Sequence, residues 1–203
     1  MKLAVDIALL PPDDIMDFAI QLNRPLVQGI EDEIVLDKTK CLPHITLAMG
    51  VMEEAQIKEV KDRMEKIAAR FFPLDLKIAS LEVTARPDGK SMSGLVVERS
   101  SELQRLHTMV MGEIVPLFTY EWVTKEMFYS PPTVNEVPLW WVLNYVRSKV
   151  RDTYSPHLTL GMGKAESIAL PMLFKASRIA LCHLGNYCTC RKIFAVVDIS
   201  ERR

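Results

Sequence analysis

The chain has 203 residues, with 25 Lys and Arg against 26 Asp and Glu and a formal net charge of −1. It is 49% hydrophobic and 25% charged, which excludes a disordered chain and allows one domain with a core that needs no staples. The lack of a cationic surplus excludes a general nucleic-acid coat, and the four cysteines are too few for a disulfide scaffold, so a reducing compartment is expected.

The first expected element is a strand over residues 2–10, where Leu3, Val5, Ile7 and Leu9 alternate. Asp6 interrupts this run and Pro11-Pro12-Asp13-Asp14 ends it. It is too short to cross a bilayer and has no small-residue cleavage site, so a soluble, cytoplasmic protein without membrane contact is expected. A helix follows, with Pro12 in its first turn, acidic residues near its positive end, and a stripe of Ile15, Phe18, Ala19 and Leu22. Residues 33–37 and 43–49 read as extended. Residues 53–71 form the clearest helix, with Ile57, Val60, Met64, Ile67, Ala68 and Phe71 on one face. Strands are expected over 74–84 and 93–98 around Pro87-Asp88-Gly89. Ser101-Glu102-Leu103-Gln104 has the spacing of a capping box, and Leu103, Leu106, Val110 and Ile114 continue a helix from it.

Residues 119–135 are irregular. A helix is expected over 136–151, with an apolar stripe of Leu139, Leu143, Val146 and Val150. A strand over 157–162 and a final hairpin of 175–184 with 187–199, turned at Gly185-Asn186, complete the chain. No Gly- or Ser-rich linker divides it, so residues 1–203 are read as a single domain.

One signal carries chemistry. Pro43-His44-Ile45-Thr46-Leu47-Ala48-Met49-Gly50 recurs as Pro156-His157-Leu158-Thr159-Leu160-Gly161-Met162-Gly163, identical at six of eight positions. In an extended strand, Ile45, Leu47 and Met49 point into a core. His44, Thr46 and Ala48 then share the other face, and His157, Thr159 and Gly161 do the same in the second copy. Ala48 and Gly161 are expected to leave room for a ligand. Two imidazoles that titrate near neutrality suit a proton donor and a proton acceptor, and two hydroxyls suit hydrogen bonds to an anionic oxygen. Two such strands facing each other would clamp a phosphate between proton-transfer groups. A core has no need to repeat polar residues that are costly to bury unpaired.

At these residues the sequence resembles the 2H phosphoesterase superfamily, named for two His-x-Thr/Ser-x motifs, which includes 2′-5′ RNA ligase-like proteins and 2′,3′-cyclic nucleotide phosphodiesterases. The resemblance covers roughly 1–118 and 154–199, with 119–151 as an expanded segment. It implies an α+β fold of two pseudo-two-fold-related lobes, with antiparallel sheets forming a concave cleft and helices outside. It also implies an enzyme that acts on 2′,3′-cyclic phosphate or 2′-5′ phosphodiester bonds of nucleotides or short RNA, without metal or cofactor. By this resemblance His44 and His157 are the acid/base pair, and Thr46 and Thr159 bind the phosphate. The alternative from another class is a phosphate- or nucleotide-binding module that does no catalysis. No basic residue follows either motif closely; the next cation is Lys164.

Other residues have two readings. Trp141 and Tyr145, four apart on the 136–151 helix, either stack on a nucleobase or pack against 119–135. Asp6 either orients a histidine or lines the cleft, or it is an exposed strand residue. His183, Cys188 and Cys190 are brought onto one face by a two-residue turn and raise a zinc question, but their spacing matches no standard zinc unit and small buried residues are the simpler reading. His107 borders an apolar helix face and reads as structural. A monomer is the default.

Overall fold

The computed structural model describes residues 1–29, 33–85, 89–130, 133–148 and 153–200. Its elements follow in chain order: β1 (Lys2–Leu10), α1 (Asp13–Asn23), β2 (Ile45–Glu53), α2 (Ile57–Ala68), β3 (Leu74–Ala85), β4 (Ser91–Val97) and α3 (Ser101–Glu113). Then come α4 (Glu136–Ser148), β5 (His157–Met162), β6 (Met172–Ala176), β7 (Arg178–Leu184) and β8 (Cys190–Asp198). The α+β class is as expected.

The strands form one antiparallel sheet in the order β6-β3-β4-β5-β2-β1-β7-β8, where separate sheets were expected. The motif strands β2 and β5 lie side by side at its centre, joined by the pair Ile45 and Leu158. These are the residues that follow the two histidines. The antiparallel sense about this pair puts His44 on the side of Thr159 and Thr46 on the side of His157. β6 is an edge strand and β7 lies seventh in the order, yet only Ser177 separates them. A flat sheet cannot meet that condition, so this one is strongly curled.

Helical periodicity decides the packing. Val60, Met64 and Ile67 bury one face of α2 against β7, β8 and α3. Leu103, Leu106 and Val110 bury α3 against β2 and β3. Ile15, Met16, Ala19 and Asn23 are the buried residues of α1, which packs on β5. α4 packs on β2, which brings it to the edge of the central strands.

Four expectations change. The N-cap of α3 is Ser100, not Ser101: its hydroxyl accepts the Leu103 N–H at 3.2 Å. Residues 175 and 176 belong to β6, which pairs with β3, so the last hairpin begins at Arg178. Its turn is longer than two residues because Asn186–Cys188 form a 3-10 turn. In α4 the buried residues are Pro138, Val142 and Tyr145, while Leu143 is exposed. The supposed stripe is therefore rotated away from the core. Its last member, Val150, lies outside the described residues, as do Pro87 and Asp88.

Candidate active site

Both motif strands carry the same irregularity. The pairing of β1 with β2 steps from Ile7–Ala48 to Ala8–Thr46, which makes Leu47 an extra residue. The pairing of β4 with β5 steps from Ser93–Gly161 to Gly94–Thr159, which makes Leu160 the extra one. A bulge resets the alternation of side chains. His44, Thr46, His157 and Thr159 line one cavity, as does Met49 from beyond the bulge. Ala48 belongs to the core, and a Cβ on Gly161 would lie 2.9 Å from Asn23 Nδ2 of α1. The expectation that Ala48 and Gly161 make ligand space is thus overturned by the bulges, while Met49 is buried in the core as expected and also borders the cavity.

A bulge leaves the carbonyl of its extra residue without a ladder partner, and a buried carbonyl needs one. The Tyr145 hydroxyl donates to Leu47 O at 3.0 Å, and Asn23 Nδ2 donates to Leu160 O at 2.7 Å. The Tyr154 hydroxyl donates to Thr46 O at 3.2 Å and its ring stacks on His107 at 3.8 Å. His107 is buried, and burial alone lowers its pKa to about 4, so it stands as a neutral support beneath the first motif. Tyr145 both lines the cavity and holds a bulge.

The cavity has a volume of about 630 Å³. Trp140 and Trp141, which meet edge to face, form part of its wall with Tyr187. Among the described residues that line it there is no Lys or Arg, and Glu82 is its one carboxylate.

The two imidazoles are held alike. His44 Nδ1 lies 2.8 Å from Leu42 O, and His157 Nδ1 lies 2.9 Å from Ser155 O. In each case the carbonyl is two residues back, so Nδ1 carries the hydrogen and Nε2 is the working nitrogen. The second-nitrogen environments differ. His44 Nε2 lies 3.4 Å from Asp6 Oδ2, and the same oxygen accepts the Thr46 hydroxyl at 2.7 Å. Asp6 is fully buried and its Oδ1 has no partner. At the corresponding place on β4, two residues before the partner of Thr159, stands Met92. Burial raises the Asp6 pKa further than His44 and Thr46 lower it. Burial would lower the His44 pKa, but Asp6 and the Leu42 carbonyl outweigh it and raise it. Both directions mean that the pair holds a proton to higher pH than an isolated imidazole. Thr159, by contrast, has no hydroxyl partner among the described residues.

Asp6 is therefore neither exposed nor part of the cavity wall; it touches His44 from beneath. The trio of His183, Cys188 and Cys190 does not assemble. His183 pairs with Lys192 and its Nε2 lies 2.9 Å from Met127 O. Cys188 lines the cavity and Cys190 is buried below. Sequence reasoning missed Asn23 and Tyr154. The signal for Asn23 was a short amide at the end of an amphipathic helix, and for Tyr154 an aromatic just ahead of the second motif.

This curled antiparallel sheet, with helices packed on it and the two His-x-Thr strands at its centre, is a fold shared with solved structures. The structure is similar to TT0787 of Thermus thermophilus, with 16% identity over 98% of this chain and 100% of that one and a TM-score of 0.55. It is similar to E. coli LigT in its apo form, with 14% identity over 99% of each chain and a TM-score of 0.50. E. coli LigT complexed with 3′-AMP gives 12% identity over 99% of this chain and 100% of that one, also at 0.50. No protein-family model matches the sequence, and no curated protein matches it. No helix among the described residues is long and apolar enough to cross a membrane.

Proposed function

We propose that the protein is a phosphoesterase that acts on 2′,3′-cyclic phosphate or 2′-5′ phosphodiester bonds of nucleotides or short RNA, with His44 and His157 as its proton-transfer pair. The observation that carries this reading is that two imidazoles, each fixed through Nδ1 by the carbonyl two residues back, line one cavity. His157 takes a proton from the attacking water as the new P–O bond forms. His44 gives a proton to the ribose oxygen as the old P–O bond breaks. His44 is assigned the donor role because Asp6 lies beside it and raises its pKa. The roles exchange in the reverse direction. Thr159, with its hydroxyl uncommitted, binds a phosphate oxygen more strongly than Thr46, whose hydrogen goes to Asp6. The Trp140 and Trp141 wall suits a nucleobase, and a LigT structure with 3′-AMP has the same fold. The test is a screen of the purified protein, with EDTA present, against 2′,3′-cyclic nucleotides, 2′-5′ dinucleotides and non-nucleotide phosphodiesters. Turnover of the first two classes supports the reading; turnover of none overturns it.

Two results follow from the asymmetry. In Asp6→Asn the carboxylate that raises the His44 pKa is gone, so His44 loses its proton at lower pH. The alkaline limb of the pH–rate profile is expected to move to lower pH, while the acid limb, which belongs to the proton acceptor, stays in place. A profile displaced on the acid side would reverse the assignment. Thr159→Ala removes one hydrogen bond to a charged oxygen and is expected to cost about 1.5–3 kcal/mol of transition-state stabilisation. Thr46→Ala is expected to cost less; kcat/KM for both variants checks the order.

A further inference from the structure

We propose that Asp6, His44 and Cys190 form a binding site for a thiophilic divalent cation of the zinc class, and that the bound cation silences His44. The silencing rests on the phosphoesterase reading; the binding does not.

A carboxylate oxygen, an imidazole nitrogen and a thiol sulfur from these residues lie within 4.8 Å of one another. That mixed donor set suits zinc rather than magnesium or calcium, which prefer oxygen alone. His44 Nε2 and Asp6 Oδ2 are 3.4 Å apart, close to the edge of a tetrahedron whose ligands stand about 2.0–2.1 Å from the metal. Closing the sulfur toward them by about 1 Å completes three corners.

Three further features belong to a metal site. A ligating imidazole usually donates its other N–H to a fixed acceptor, and His44 Nδ1 does so to Leu42 O. A ligating carboxylate is usually hydrogen-bonded, and Asp6 accepts from Thr46. Asp6 Oδ1 is buried with no partner, and an ionised orphan oxygen is expensive unless a proton or a cation sits on it. Cys190 is brought to this place by the bridge between Leu42 and Cys190. The Cys182 thiol stands beside it, and the surroundings are apolar, with Ala8, Leu10 and Ala180. The side chain of His44 is 13% exposed and lines the cavity, which gives the cation an approach and leaves the fourth corner to water.

The proton balance is explicit. Burial raises the affinity of both Asp6 and Cys190 for protons, so protons compete with a cation for these atoms. The cation displaces the Cys190 thiol proton and those held by the Asp6–His44 pair, and these go to solvent. Binding therefore tightens as pH rises. Metal on Nε2 leaves that nitrogen unable to carry or release a proton.

The experiment uses the full chain stripped with chelator and titrated with zinc chloride by calorimetry. One equivalent should bind, and Cys190→Ala and Asp6→Asn should each weaken it at least 10-fold. His183→Gln, outside the set, should leave it unchanged. Cobalt(II) in place of zinc should give a sulfur-to-cobalt charge-transfer band that Cys190→Ala abolishes. Cys190→Ala is a small change among apolar neighbours, and its far-ultraviolet circular dichroism verifies folding. Absence of stoichiometric binding, or wild-type binding in folded Cys190→Ala, overturns the site. Turnover is measured separately. Inhibition that follows zinc occupancy supports the silencing. Full turnover by zinc-saturated protein overturns it and removes His44 from the chemistry, while leaving the site intact.

Discussion

Replacing His44 or His157 with Ala is expected to lower turnover of a 2′,3′-cyclic phosphate by on the order of 10²–10⁴-fold, the worth of a positioned proton-transfer group. Neither side chain is a core element. His44 lies at the head of β2 with its ring at the cavity, and His157 is exposed. Both variants are expected to fold, verified by circular dichroism; the exposed His157 leaves the thermal midpoint unchanged, while His44→Ala lowers it because Asp6 loses its neighbour. The double variant should lose far less than the product of the single losses, because a donor is of little use when nothing accepts. The decisive measurement is the rate of the double variant. Turnover at the wild-type rate would place the chemistry on other residues.

Asn23→Ala is expected to cause a large loss of stability, comparable to truncation of a buried core side chain. Asn23 Nδ2 donates to Ile34 O and to Leu160 O, each at 2.7 Å, and its Oδ1 accepts the Leu36 N–H at 2.9 Å. The side chain is buried, so truncation leaves three backbone groups with no water to turn to. Each unsatisfied group costs about 1–3 kcal/mol. Partial relaxation brings the expected total to about 3 kcal/mol or somewhat more, read as a lower urea midpoint with an unchanged slope. Leu160 follows Thr159 directly, so activity should fall at denaturant concentrations where most of the protein is still folded. An unaltered midpoint would show that the bulge and the 33–36 segment hold themselves.

Much of this was legible in the sequence, for definite physical reasons. The alternation in residues 2–10 and the 3.6-residue period in residues 53–71 are local signals; β1 follows the first, and α2 keeps Ile57–Ala68 of the second, since Glu53 ends β2 and Glu54–Gln56 form a 3-10 turn. The duplicated His-x-Thr pattern named the four side chains that meet in the cavity. What was not legible depends on partners distant in sequence. Strand alternation past Thr46 and Thr159 assumed an unbroken ladder. The bulges arise from pairing with β1 and β4, which no window along β2 or β5 can reveal. Asp6 looked like an interruption of a hydrophobic strand because its reasons for being there, His44 and Thr46, lie about forty residues away. The rotation of α4 had a similar cause. Tyr145 turns inward to serve Leu47 O, a polar demand that overrides the more apolar stripe.

The single residue between β6 and β7 has a mechanical consequence. Ser177 fastens one border of the sheet to the strand next to the opposite border, and Ile199 N donates to its carbonyl at 2.7 Å. The two motif strands are thus mounted on the inside of a nearly closed hoop. Moving them apart would require the hoop to unroll, and a one-residue tether has no slack for that. The gap between the imidazoles is set when the chain folds, with no swing of one half of the sheet against the other.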